Sequence, residues 1–213
     1  MKFTDALPNE LSDLLPGALR PLAEHVPLMK GTEVFAQGDN PQALFYVVQG
    51  EVVLERSGVQ GQTVVLQRVR HGFIAEASMQ SGSYHCSARV TLSGQAVRLP
   101  IAPLRLALSS NPEFSNRWIT MLNQEVRRLR AQTERLSLKG VEARLLHLIE
   151  TEGVDGRLDT TSGLKSVAAQ LCITHEALYR TVAKLEQSGA VRRDEHVLNL
   201  VTNPPLSSAV REW

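Results

Sequence analysis

The chain has 213 residues, 43% hydrophobic and 21% charged, with a formal net charge of +1. That length suits one large or two small domains, each able to bury a core, and so small a charge carries no nucleic-acid signal of its own. No apolar run approaches the ~20 residues of a membrane span, and the two cysteines, Cys86 and Cys172, make neither a disulfide framework nor a zinc or iron–sulfur spacing. The opening MKFTDALPNEL lacks the apolar stretch of an export signal, so the expected setting is a reducing cytoplasm, with no membrane and no metal.

Residues 4–29 read as a helical lead-in. Leu7, Leu11, Leu14, Leu15, Leu19 and Leu22 recur at helical spacing, and Pro8, Pro16, Pro21 and Pro27 cut it into short pieces. From Gly31 to Pro100 the apolar runs become short and β-branched or aromatic, at 33–36, 44–48, 52–54, 64–66, 87–92 and 96–99. Turn residues separate them at 38–40, Gly50, Ser57-Gly58, Gly61, Gly72, Gly82 and Gly94. Many short strands at this spacing predict an antiparallel sandwich or barrel.

A long helix comes next. Asn111 suits the N-cap, Pro112 the first helical position and Glu113 the positive end of the helix dipole. From there to Lys139 the chain has no glycine and no further proline. Ile119, Leu122, Val126, Leu129, Thr133 and Leu136 follow alternating steps of three and four, an a/d seam for a parallel partner helix. Glu125 falls at g and Arg130 at the following e, where two copies would pair them. The stripe is narrow and its flanks are charged, which favours a homodimer over a helix lying on its own domain.

Gly140 reads as a hinge. Val141–Thr151 is a short amphipathic helix with Leu145, Leu148 and Ile149 inward, and 157–159 a short strand. Two helices with a tight corner follow. Leu164–Leu171 buries Val167, Ala168 and Leu171, Cys172-Ile173-Thr174 turns, and Thr174 caps a helix that turns Ala177, Leu178, Val182 and Leu185 inward. His175, Glu176, Tyr179 and Arg180 are left outward at the end that enters the major groove in a helix-turn-helix. Glu can accept from cytosine N4 while Arg bonds guanine O6 and N7. The alternative is that Glu176 only complements the helix dipole and Arg180 pairs with it. Residues 191–193 and 196–201 flank the turn Asp194-Glu195 and predict a β-hairpin wing.

Sheet domain, long helix, hinge and winged helix-turn-helix in this order resemble the Crp/Fnr family of bacterial transcription regulators. The resemblance rests on GTEVFAQGDNPQALFYVVQGEVVL (31–54), FIAEAS (73–78), SARV (87–90), NPEF (111–114) and THEALYRTVAKLEQSGAV (174–191). It implies an α+β fold, with a β-roll of the cyclic-nucleotide-binding, jelly-roll type over 1–110, a dimerisation helix over 111–139 and a winged helix-turn-helix over 140–213. It implies a cytoplasmic homodimer on a pseudopalindrome of double-stranded DNA, with RNA polymerase as a further partner if it is an activator. Glu176 and Arg180 fall on the family's principal base-reading positions, which implies TGA-like half-sites. His175 falls where the catabolite-activator members carry another base-reading Arg. His175 and Tyr179 are expected to adjust the reading, and Lys165, Ser166 and Thr174 to contact phosphates.

The effector pocket departs from the family pattern. Glu76 matches the Glu that takes the ribose hydroxyl, but Ala75 replaces a Gly and Cys86 stands where the phosphate-binding Arg should be. A neutral thiol cannot supply the charge-assisted bidentate bond that a buried phosphate needs. Leu129 and Arg130 stand on the Thr-Ser pair that meets the adenine. Cyclic AMP is therefore not expected as cofactor, and any effector would meet Glu76, His85, Cys86, Ser87, Leu129, Arg130 and Thr133. Haem is the alternative, since His71, Tyr84, His85 and Cys86 lie on or near the pocket segment. Without a fixed cation nearby, the Cys86 thiol should keep a pKa of ~8.5 and modest reactivity. Cys172 sits where the corner usually has Gly. A side chain in that left-handed conformation costs on the order of 1 kcal/mol, and a thiol there is a candidate redox switch.

No nucleophile–base motif or phosphate loop is present, so no catalytic residue is expected. The other readings are a sensor whose DNA binding requires haem or another effector, and a signalling module that has lost DNA binding.

Overall fold

The computed structural model describes residues 6–58, 62–161 and 163–201. The described residues form two compact units, divided between Met121 and Leu122.

The first unit opens with α1 (Asn9–Leu14), then β1 (Glu24–Leu28), β2 (Glu33–Phe35), β3 (Ala43–Ser57), β4 (Thr63–Val69), β5 (Gly72–Ile74) and β6 (Ser87–Pro100). The strands make an antiparallel sheet in the order β1-β6-β3-β4, with β2 on β6 and β5 on β3. This is the β-roll, and β3 and β6 are its spine. Five consecutive residues of β3, Ala43 to Val47, are buried; since strand side chains alternate, the strand is covered on both faces there. Leu11 and Leu15 are buried as the helical spacing predicts. The lead-in is less helical than expected: residues 24–28 are a strand. Pro27 is tolerated because, among the described strands, β1 pairs with β6 alone and lies at a sheet edge.

The larger correction concerns Gly50 and Gly94, read as turns. Each lies inside one long strand. The register of β3 against β6 shifts around Gln49–Val52, and the two glycines face each other across that irregularity. A Cβ on Gly94 would lie 1.9 Å from the Gln49 carbonyl oxygen, and one on Gly50, at φ +98°, would lie 2.6 Å from that of Leu92. They are there because two backbones approach too closely for a side chain. The Gly61 turn falls outside the described residues.

Glu51 is the buried charge of the roll, 7% exposed. It takes Thr91 Oγ1 at 2.6 Å, Arg70 Nε at 2.7 Å and Arg68 Nη1 at 3.1 Å. Burial pushes its pKa up, but the hydrogen bonds of Thr91 and Arg70 and the charges of Arg70 and Arg68 outweigh that and hold it below the usual carboxylate value. A carboxylate depressed in the folded state contributes stability above its unfolded pKa of ~4.3 and loses it as pH falls through the folded value. The stability gap between wild type and Glu51→Gln should therefore be flat down to about pH 4.3 and narrow below it. Urea midpoints across that range measure the gap; one independent of pH would refute this role.

A helix missed from the sequence, α2 (Ile101–Ser110), leads out of β6, and α3 (Pro112–Ser137) follows. Asn111 caps α3, its Oδ1 accepting from the Phe114 N–H at 3.0 Å. Phe114 and Trp118 are buried, Trp118 packing edge-on against Phe73.

The second unit holds the rest of α3, then α4 (Val141–Glu152), β7 (Arg157–Asp159), α5 (Leu164–Gln170), α6 (His175–Gln187), β8 (Val191–Asp194) and β9 (Val197–Leu200). The small sheet runs β7-β9-β8. Leu145, Leu148, Ile149, Val167, Ala168, Leu171, Leu178, Val182 and Leu185 form its core, as their spacing predicts. This is a winged helix-turn-helix.

Candidate nucleic-acid interface and effector pocket

The candidate surface starts at the corner between α5 and α6. Cys172 adopts φ +55°, and the Ile173 N–H closes the turn on the Ala168 carbonyl at 3.0 Å. A left-handed residue with a side chain is strained, so Cys172→Gly should gain stability, by about 0.5–1 kcal/mol once the entropy of glycine is set against the relief. Chemical denaturation measures it, and a loss would show that the Cys172 side chain contributes packing. The thiol is exposed.

Thr174 caps α6, its Oγ1 accepting from the Ala177 N–H at 3.2 Å. The inward residues then hold the helix against the core, and His175, Glu176, Tyr179 and Arg180 are exposed on its outer face. Bonds from its own backbone N–H and from the Thr174 hydroxyl hold the Glu176 carboxyl below the usual carboxylate range, with His175 and Lys165 adding to the effect. The carboxylate therefore folds over the positive end of the helix, and Arg180 is bonded to no described residue. Lys165 on α5 lies near enough to act on Glu176. Ser166, half-buried, starts the same helix, its N–H on the Gly163 carbonyl at 2.9 Å.

Sequence reasoning missed two features of this surface. Arg193 of β8 stands over the Tyr179 ring at 5.9 Å, and His175 meets the same ring edge-on. A recess of about 620 Å³ lies beside the helix, lined by Lys139, Gly140, Val141, Arg180 and Lys184 among others. Lys184 Nζ is paired there with Glu142 Oε2 at 2.7 Å. Neither leaves a local signal, because each joins residues far apart in the chain.

The expected effector residues fall in two groups. Glu76, His85, Cys86 and Ser87 come together in the roll. Ala75, buried at φ +76°, keeps a left-handed turn although it carries a Cβ, and Glu76 opens the short turn that follows. His85 Nδ1 lies 2.8 Å from the Ser78 hydroxyl, and the Ser87 hydroxyl accepts from the Gln37 N–H at 2.9 Å. Cys86 is 1% exposed. The expectation of an ordinary thiol is corrected: burial pushes its pKa up, the Glu76 carboxylate adds to the rise, and Arg56 opposes it. Arg56 is the nearby cation that sequence reasoning did not place. It stands at the end of β3, where Glu55 pairs with Ser87. Of the haem candidates, Tyr84 is a core residue that stacks on Phe35 at 4.1 Å and donates its hydroxyl to the Ala43 carbonyl. His71 Nε2 lies 2.8 Å from the Tyr46 hydroxyl. No cluster that could hold a metal occurs among the described residues.

Leu129, Arg130 and Thr133 belong to α3 in the second unit. The expected seam is open along this helix: Ile119 is 53% exposed, Val126 44%, Leu129 38% and Leu136 51%. Thr133 donates its hydroxyl to the Leu129 carbonyl. Glu125, expected to face a partner helix, is held within the chain by Arg128 at 2.6 Å.

Residues 25–111 match the cyclic nucleotide-binding domain family. An uncharacterized protein of Haemophilus influenzae is 30% identical over 108 residues, 49% of this chain and 83% of that one. Among solved structures, FixK2 from Bradyrhizobium japonicum superposes with a TM-score of 0.57 at 16% identity, over 84% of this chain and 93% of that one. DNR from Pseudomonas aeruginosa, a transcriptional regulator, superposes at 0.52 and 24% identity over 91% of each chain. The c-di-GMP responsive global regulator CLP from Xanthomonas campestris superposes at 0.50 and 17% identity, over 86% of this chain and 96% of that one. No described helix is long and apolar enough to cross a membrane. The chain thus carries a cyclic nucleotide-binding domain and has the fold of the Crp/Fnr transcription regulators.

Proposed function

We propose that the protein is a non-catalytic, homodimeric transcription regulator that binds a pseudopalindrome with TGA-like half-sites without requiring cyclic AMP. The observation that carries this reading is the outer face of α6: a capped helix on a packed core, with Glu176 ionised and Arg180 unengaged by any described residue. Those two groups are the acceptor and the bidentate donor that a G·C-containing half-site requires. Arg193, over the Tyr179 ring, and Lys165, beside Glu176, add positive charge that suits DNA phosphates. The exposed seam of α3 supports a parallel dimer, which presents two such faces to two half-sites.

Cyclic AMP independence is supported by Cys86, a buried thiol pushed further toward its neutral form where the phosphate needs a guanidinium. The test is selection of sites from a random duplex library by reduced, dialysed protein whose dimeric state is checked by sedimentation. Enrichment of a TGA-like palindrome with no effector added, lost steeply as salt rises, is the expected result. No enrichment from a folded dimer, with or without cyclic nucleotides or haem, sinks the reading in favour of a signalling module without DNA binding.

A further inference from the structure

The long helix joins the winged unit through a joint that has almost no hydrophobic glue. The described apolar core of that unit runs from Leu145 to Leu198 and takes no residue from α3. The link itself is soft, since Gly140 sits at φ +88° with nothing within 4 Å of where a Cβ would be. What crosses from α3 to α4 is polar. Arg144 donates through Nη2 to the Leu136 carbonyl at 3.4 Å and through Nε to the carbonyl of Leu138, just past the end of α3, at 3.1 Å. His147 Nε2 lies 3.4 Å from Glu134 Oε2. Arg135 Nη2 donates to Glu152 Oε1 at 2.5 Å and to Thr151 Oγ1 at 3.2 Å. Of these crossing side chains Arg135 is the most deeply placed, at 2% exposure. Glu152 passes the tie on: its Oε2 accepts from Gln170 Nε2 at 2.6 Å, and Gln170 ends α5, the first helix of the helix-turn-helix.

Stability is a poor explanation for this arginine. Its Nε and Nη1 are buried with no hydrogen-bond partner among the described residues. A buried ion pair satisfied on one side only gains little over an apolar side chain of the same volume, and such replacements are often neutral or stabilising. What the pair does supply is direction. It is sheltered from water, weakly screened, and fixed at both ends to helices that otherwise share no core.

We infer that Arg135 is a positioning residue for operator recognition: through Glu152 and Gln170 it locks the seam helix to the helix-turn-helix. The inference rests on the proposed DNA function. If α3 sets the dimer, the lock sets the angle, and so the separation, at which two α6 helices are offered to DNA. Half-site spacing then depends on Arg135, while the bases read within one half-site do not.

The test uses the full-length dimer and the operator it selects. Affinity is measured for that operator and for the same operator with one base pair added between its half-sites. In Arg135→Met the preference for the selected spacing should fall about tenfold, within the usual range of coupling between sites. Base preference within the half-site should be unchanged; the thermal midpoint should fall in this variant, which leaves the Glu152 carboxylate without its partner, and stay unchanged in the neutral pair Arg135→Met with Glu152→Gln. Arg135→Lys, which keeps a charge for Glu152, should retain part of the spacing preference. If Arg135→Met does not fold, the neutral pair Arg135→Met with Glu152→Gln carries the same measurement. A folded variant with the wild-type spacing ratio overturns the inference, and so does failure of both apolar variants to fold, which would make Arg135 a stability residue. A wild type that selects no DNA instead removes the proposed function, and this inference with it.

Discussion

Arg180→Ala should weaken binding to the selected operator by about 1–3 kcal/mol per half-site and flatten the preference at one G·C pair. The size follows from what is removed. Guanine offers O6 and N7 in one plane, and a guanidinium meets both with parallel N–H bonds that no other base edge can satisfy. Arg180 is free for this, exposed and bonded to no described residue, on a helix whose opposite face is held by Leu178, Val182 and Leu185. The fold should be untouched, because the side chain contributes nothing to the core. Competition between the operator and random duplex separates the base-reading term from the phosphate term: specific affinity drops while non-specific affinity falls only slightly. Lys165→Ala should do the reverse, weakening all sequences alike and lowering the salt slope by about one per half-site. An Arg180→Ala protein with unchanged specificity would place base reading elsewhere on this surface and return Glu176 and Arg180 to the role of ordinary helix-surface charges.

Gly94→Ala should cost about 3 kcal/mol or more and disrupt the roll rather than the winged unit. Its Cβ would sit 1.9 Å from the Gln49 oxygen and 2.3 Å from its carbonyl carbon, backbone atoms that cannot swing aside. Relief requires β3 and β6 to part where their register shifts, at the centre of the sheet. Gly82→Ala is the control, since nothing lies within 4 Å of its added carbon and its φ is not positive. Hydrogen exchange would show loss of protection along β3 and β6 for Gly94→Ala and little change for Gly82→Ala. Equal behaviour of the two variants would mean that the strands do not cross as closely as described.

The contrast between these two sites shows which parts of the molecule can be read directly from the chain. The helix-turn-helix is legible because its signals are local. Inward residues recur every three or four positions, Thr174 precedes them as cap, and the corner bends at Cys172 within one turn of the helix it serves. The long helix α3 and its Asn111 cap are legible for the same reason. The strands themselves were visible as apolar runs between turn residues. Gly50 and Gly94 were misread because a glycine in a strand and a glycine in a turn look alike until the partner strand is known, and that partner is more than forty residues away. Arg56 beside Cys86 and Arg193 over Tyr179 are missed on similar grounds, and Arg135, expected on the charged flank of the seam helix, is buried instead. Each is an unremarkable cation in its own neighbourhood and acquires a role only from a residue on another element. Periodicity and capping are written along the chain, whereas close backbone approach, burial of a charge and the perturbed chemistry of a thiol are set by packing between distant segments.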